Sequence, residues 1–230
     1  MSEENIVEIE NLEKSYGHGI NALKVLKNIS LSIKGGETIS IVGPSGAGKS
    51  TLLNMMGCLD EFQTGKLSIL GNNISYLTVE ELSGFRNLHI GFIFQAHNLM
   101  PEFTALENVM IPLLIRRRKK KEARQIALTT IEKFNLLDRQ NHKPNELSGG
   151  ECQRIAVARA IVGNPDIILA DEPTGNLDSH NSKQLIDILL KTGKKNNTTI
   201  IIVTHDMEIA GMSERKITIV DGNIINDVPL

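Results

Sequence analysis

Nine residues constrain this chain more than any others: Gly43, Pro44, Ser45, Gly46, Ala47, Gly48, Lys49, Ser50 and Thr51. They stand directly after the apolar run Thr38 to Val42 and before the helical-looking segment Leu52 to Met56. A strand that enters a glycine-rich turn and leaves as a helix lets backbone N–H groups converge on phosphate at the positive end of the helix dipole. In that frame Lys49 reaches the β and γ phosphates of a nucleotide and the Ser50 hydroxyl ligates Mg²⁺. The alternative is an accidental glycine-rich turn, which does not account for the strand and helix on either side.

A loop of this kind belongs in an α/β frame, and the rest of the chain supplies one. Short β-type runs punctuated by Gly and Pro lie at both ends: Ile6 to Glu10, Ile29 to Ile33 and Thr38 to Val42, then Ile167 to Ala170, Thr199 to Thr204 and Lys216 to Val220. Ile167 to Ala170 and Ile200 to Val203 are apolar throughout, as central parallel strands covered on both faces must be. The dipeptide Asp221-Gly222 between Lys216 to Val220 and Asn223 to Asn226 predicts a tight antiparallel hairpin. Between about residues 97 and 163 the period changes to three- and four-residue steps, as in Ala123, Ile126, Ala127, Ile131 and Phe134, and again in Ile155, Ala158 and Ile161. The expectation is one α/β domain over 1–230, with a mixed-sheet core lobe from about 1–96 and 164–230 and an inserted helical subdomain from about 97–163.

Two further segments carry chemistry. Ile167-Ile-Leu-Ala-Asp171-Glu172 ends an apolar strand in adjacent carboxylates, where Asp171 suits a Mg²⁺ ion and Glu172 suits the proton of an attacking water. An acidic turn before Pro173 is the plainer alternative. Leu147-Ser148-Gly149-Gly150-Glu151 has the Ser-x-x-Glu spacing of a capping box before a helix from about Cys152 to Val162. Capping alone would explain it, but paired glycines also permit close approach of the backbone to an anion.

The three segments in this order, with Leu147 to Glu151 just upstream of the carboxylate strand, resemble the ATP-binding cassette of ABC transporters over essentially the whole chain. The resemblance implies the ABC form of the phosphate-loop fold, ATP and Mg²⁺ as cofactors, and ATP hydrolysis with Glu172 as base. It further implies that Tyr16 stacks on adenine, that Gln95 links metal and water to a membrane partner, that Asp178 lies at the cassette interface and that His205 contacts the γ-phosphate. Ser148, Gly149 and Gly150 would cap the nucleotide of a second copy, which implies a head-to-tail homodimer docked on integral membrane subunits. Within the family, Leu99 to Ile115, Lys143 to Ser148 and Ala170 to Asp178 are similar to the branch that powers lipoprotein release and mechanically driven export. Lipoprotein release from the inner membrane is the leading expectation. Export of a small molecule or peptide, a cell-division role, a soluble ATPase acting on DNA or ribosomes, and a non-hydrolysing switch are the alternatives.

Composition narrows these. The 25 basic and 27 acidic residues nearly cancel, leaving a formal charge of −2 and no whole-chain field for nucleic acid, so no nucleic-acid partner is expected. The apolar run Val109 to Ile115 contains Pro112 and is far shorter than a membrane span, and Met1 to Asn5 has no basic start or apolar core of a secretory signal. Together with the membrane subunits that the resemblance implies, the expected location is the cytoplasmic face of the inner membrane, reached through a partner. Cys58 and Cys152 have no metal-ligand spacing, and Cys152 is expected on a helix surface. Arg116 to Lys121 reads as a solvated basic loop, with contact to lipid headgroups as the lesser alternative.

Overall fold

A computed structural model describes residues 4–17, 19, 22–175 and 177–230. Met1 to Glu3, His18, Ile20, Asn21 and Asn176 lie outside the described residues. In chain order the elements are β1 (Asn5–Tyr16), β2 (Leu23–Lys34), β3 (Thr38–Val42), α1 (Lys49–Met56), β4 (Thr64–Ile69), β5 (Asn72–Asn73), α2 (Val79–His89) and β6 (Ile90–Ile93). There follow α3 (Ala105–Ile115), α4 (Lys120–Glu132), α5 (Gly149–Ile161), β7 (Ile167–Asp171), α6 (Ser179–Asn196), β8 (Thr199–Val203), α7 (Met207–Ala210), β9 (Arg215–Val220) and β10 (Asn223–Pro229).

The described residues gather into two compact units, one running to Arg86 and resuming from Thr199 to Leu230, the other from Asn87 to Thr198. In the first, β1 pairs antiparallel with both β2 and β4, and the apolar residues Val7, Ile9 and Leu12 pair with Ile33, Leu31 and Ile29 of β2, with a shift of register between Ile9 and Leu12. A mixed sheet carries the phosphate loop. There β3 runs parallel to β8, with Ile39 opposite Ile201 and Ile41 opposite Val203, and parallel to β9, with Ile41 opposite Ile217. Every residue of β8 is buried, as its unbroken apolar pattern requires. The antiparallel pair β9–β10 closes the chain through Asp221 at φ +46° and Gly222 at φ +77°, the two left-handed positions of a tight hairpin turn.

In the second unit β6 runs parallel to β7, with Phe92 opposite Leu169, and α3 packs on α4 and α5. A Cβ at Gly91 would lie 2.4 Å from the Ala160 carbonyl oxygen, so only glycine lets β6 pass so close to α5. Ala123, Ala127 and Ile131 of α4 and Ile155, Ala158 and Ile161 of α5 are buried, as their helical spacing predicts. The helix α5 begins at Gly149 rather than Cys152 because Ser148 is its cap. Strands β6 and β7 gather with these helices, and the division of contacts falls at Arg86 and Thr198.

Two expectations are corrected. Arg116 is not part of a solvated loop: its guanidinium donates to the carbonyls of Asn87, Leu88 and Gly163, tying the end of α3 to the last turn of α2 and the end of α5. The run then continues into α4, and Arg118, just before that helix, pairs with Glu122 in its first turn at 2.8 Å. Cys152 is buried, at 9% exposure, because it faces the preceding turn, where its thiol donates to the Pro144 carbonyl at 3.4 Å. No described helix is long and apolar enough to cross a membrane.

Candidate active site

The first unit holds the phosphate loop. At the end of β3 the chain turns at Gly43, φ +149°, where a Cβ would sit 2.0 Å from the Ile219 carbonyl oxygen of β9. Gly48, φ +100°, passes under β2, and a Cβ there would meet the Val25 carbonyl oxygen at 2.8 Å and Leu26 Cδ2 at 2.9 Å. Pro44, Ser45 and Gly46 are exposed at the rim, while Ala47 and Gly48 are buried beneath them. Lys49 folds back over the loop, its Nζ donating to the carbonyls of Gly43 at 2.9 Å and Pro44 at 2.8 Å. The charge is thus held at the mouth of the loop. Ser50 and Thr51 follow in the first turn of α1, which has no side-chain cap and no acidic residue, leaving its positive end for an anion.

Tyr16, the last residue of β1, is 43% exposed, and its hydroxyl donates to Asp60 Oδ2 at 2.6 Å. Partial burial, and then the Asp60 carboxylate, raise the phenol's pKa above its ordinary value, while the Thr51 hydroxyl at the same oxygen opposes them. The side chain therefore stands beside the first turn of α1. His205 lies on the exposed turn after β8, the strand next to β3. The Thr204 N–H donates to the Ile41 carbonyl at 3.2 Å, and Thr204 Oγ1 accepts from the Asp206 N–H at 3.0 Å. Asp206 in turn caps α7. His205 is consequently fixed at the carboxyl end of a parallel pair, where α/β sheets present ligand-binding groups.

The second unit gathers the carboxylates and the Ser-Gly-Gly segment. Asp171 ends β7 and Glu172 follows at φ +46°, a left-handed backbone that costs a non-glycine residue about 1 kcal/mol. The turn is fixed by the Gly175 N–H donating to the Glu172 carbonyl at 3.1 Å and by Gln153 Nε2 donating to the Pro173 carbonyl at 2.6 Å. Gln95, two residues past β6, lies against the same turn: a Cβ at Gly175 would be 3.6 Å from Gln95 Nε2 and 3.6 Å from the Glu172 carbonyl oxygen. Gln95 and the Glu172 turn are thus brought together, at the end of the strand that Asp171 closes.

Ser148 caps α5 by accepting from the Glu151 N–H at 3.3 Å, and Glu151 returns the bond by accepting from the Ser148 N–H at 2.8 Å. The Arg139 guanidinium at 2.9 Å, with the Ser148 N–H, holds the Glu151 carboxyl at about 2, despite partial burial. Gly149 opens the helix, and a Cβ at Gly150 would approach Leu177 Cδ2 to 2.9 Å, so the Ser-Gly-Gly segment packs on the loop leading to Asp178. Asp178 caps α6, accepting from the Asn181 N–H at 2.9 Å and its amide at 2.6 Å.

Sequence reasoning missed several residues that support these groups. Arg159 of α5 donates to the carbonyls of His97 at 2.7 Å and Asn98 at 2.6 Å, pinning the segment after Gln95 at two left-handed residues. Gln153 supports the Glu172 turn from a side chain 1% exposed. Gly222 supports the phosphate loop, its N–H donating to the Ala47 carbonyl at 3.1 Å. Gly222 was legible as a hairpin residue; nothing in the spacing of the others signals these contacts.

A phosphate loop on a mixed sheet, a strand ending in Asp-Glu, and a helix opened by Ser-Gly-Gly define a nucleotide-hydrolysing cassette. Residues 26–175 match the family described as "ABC transporter", and the chain belongs to that family. It is an ABC-type ATPase. The lipoprotein-releasing system ATP-binding protein LolD of Bacteroides fragilis is 52% identical over 220 residues, covering 96% of this chain and 100% of that protein. The protein of the same name from Geobacter metallireducens is 46% identical over 97% of this chain and 99% of its own. Among solved structures, the dimeric ATP-binding cassette MJ0796 in a post-hydrolysis state bound to ADP and Pi superposes with a TM-score of 0.93 at 43% identity, covering 97% of this chain and 98% of that one.

Proposed function

We propose that this ATPase powers release of lipoproteins from the inner membrane as the peripheral, cytoplasmic-face subunit of a membrane complex. The observation that carries the reading is end-to-end similarity: relatives named as the lipoprotein-releasing ATP-binding protein in Bacteroides fragilis, Cytophaga hutchinsonii and Aquifex aeolicus are 52%, 48% and 45% identical over 96%, 96% and 97% of this chain.

In this reading Gly43 to Thr51 cradle the phosphates, Lys49 bridges the β and γ positions, and Tyr16 carries the adenine. Glu172 takes the proton of the attacking water and His205 donates to the γ-phosphate. The donors proposed for Mg²⁺, the Ser50 hydroxyl, the Gln95 amide oxygen and the Asp171 carboxylate, are all hard oxygen ligands suited to that ion. When bound, the ion would neutralise phosphate charge.

Two copies associate head to tail in this reading, which the dimeric state of the similar MJ0796 cassette supports. Ser148, Gly149, Gly150 and Asp178 then meet the nucleotide of the opposite copy. ATP closes the pair and hydrolysis opens it, and integral membrane subunits convert that cycle, through the helical subdomain of about 97–163, into movement of cargo. The test is purification of the tagged chain from detergent-solubilised membranes of its own source. Recovery of two unlike membrane subunits with bound lipoproteins supports the reading; recovery of a single exporter-like subunit, or of ribosomes without membrane subunits, contradicts it.

A further inference from the structure

Lys14 is a cation at 5% exposure, a position that an ammonium occupies only when paired. It stands two residues before Tyr16 on β1, so both side chains project from the same face of the strand. Its Nζ donates to Asp60 Oδ1 at 2.8 Å and to the Glu61 carbonyl, and lies 4.6 Å from the centroid of the Tyr16 ring. The other Asp60 oxygen, Oδ2, accepts the Tyr16 hydroxyl at 2.6 Å, and Oδ1 also accepts the Glu61 N–H at 2.7 Å. Asp60 follows shortly after α1, the helix that begins in the phosphate loop.

One ring thus has three fixed points: its strand, its hydroxyl and one of its faces. We infer that Lys14 and Asp60 are positioning residues for base recognition, which lock Tyr16 in one orientation, close one face of its ring and leave the other for the purine of ATP. The inference rests on Tyr16 being the adenine platform. Asp60 and Thr51 share the Tyr16 hydroxyl, so the platform is registered to the phosphate loop itself. A cation on the covered face also holds the ring electrostatically, since the π-face is its negative surface.

The test compares affinity for ATP with affinity for inorganic tripolyphosphate, both with Mg²⁺, on the full chain and on Tyr16→Ala, Tyr16→Phe, Asp60→Asn and Lys14→Met. Tyr16→Phe keeps the Lys14–Asp60 pair and removes only the tether, so it reports even where Lys14→Met unfolds the chain. The expected result is that Tyr16→Phe, Asp60→Asn and Lys14→Met each weaken ATP binding about three- to ten-fold without weakening tripolyphosphate binding. Lys14→Met should add nothing in a Tyr16→Ala background. If Tyr16→Ala is selective for ATP while Tyr16→Phe, Asp60→Asn and Lys14→Met are not, the platform stands and the inference is overturned. If Tyr16→Ala itself leaves the ratio of the two affinities unchanged, the platform reading falls and the inference with it.

Discussion

The Gly222 N–H donates to the Ala47 carbonyl at 3.1 Å, so the turn of the last hairpin braces the buried floor of the phosphate loop from more than 170 residues away along the chain. The same turn reaches β2, where the Lys27 N–H donates to the Gly222 carbonyl at 2.8 Å. The loop's shape is therefore set partly by a segment that carries none of its chemistry.

Replacing Gly222 with Ala should destabilise the fold and loosen the loop together. The residue has φ +77°, and a Cβ would lie 2.4 Å from the Val25 carbonyl oxygen, a backbone atom with no room to yield. A loss of about 2 kcal/mol or more is expected from the left-handed backbone and the clash combined. Urea unfolding and ATP titration of Gly222→Ala check this; unchanged values for both would show that the hairpin does not brace the loop.

The Arg159 fork predicts a separation of binding from turnover. Arg159→Lys keeps the charge but cannot serve the His97 and Asn98 carbonyls with one rigid planar group. Steady-state kinetics should show kcat reduced several-fold, because Gln95 loses its fixed approach to the Glu172 turn, with ATP affinity close to that of the parent. A rise in KM alone would contradict the assignment.

Acid should act on Glu151 within a defined window. Its carboxyl falls from an ordinary 4.5 to about 2 because Arg139 and the Ser148 N–H bind the charged form. A depressed folded-state value means stabilisation that is complete above about 4.5 and is lost as pH falls toward about 2. The stability difference between the parent and Glu151→Gln should accordingly be constant from pH 7 to 5 and shrink below that, as followed by denaturant unfolding at each pH. A difference that stays flat down to pH 2 would remove Glu151 as the charged cap of α5.

Cys58 should resist thiol reagents in the folded chain. Burial pushes its thiol up to about 11, against a smaller opposing effect of Arg86, whose guanidinium donates to the Cys58 carbonyl at 3.0 Å. Iodoacetamide at pH 8 is expected to label it slowly in buffer and rapidly in urea; equal rates would mean that the segment after α1 is open.

Much of this was legible in the chain because the governing rules are local. The turn at Asp221-Gly222, the capping box from Ser148 to Glu151 and the fully buried strand Thr199–Val203 each follow from spacing within a few residues. Gln95 was not derivable that way and came from resemblance alone; its place beside Gly175 depends on the pairing of β6 with β7. Arg116 and Cys152 were misread for a related reason. A run of six cations and a polar-flanked cysteine look like surface, yet Arg116 faces three carbonyls and Cys152 one, through packing among helices that no periodicity encodes. Long-range carbonyl partners are invisible to residue spacing, and most of the supporting residues work through them.

In the proposed function Glu172 is the base for ATP hydrolysis, in a chain whose phosphate loop binds ATP independently of it. The decisive measurement is single-turnover hydrolysis of radiolabelled ATP by the parent and by Glu172→Gln, alongside ATP affinity and size-exclusion chromatography. Hydrolysis by the variant should be slowed at least about 100-fold, with affinity unchanged and ATP-bound dimers accumulating. Hydrolysis by Glu172→Gln at a rate close to that of the parent would remove Glu172 as the base.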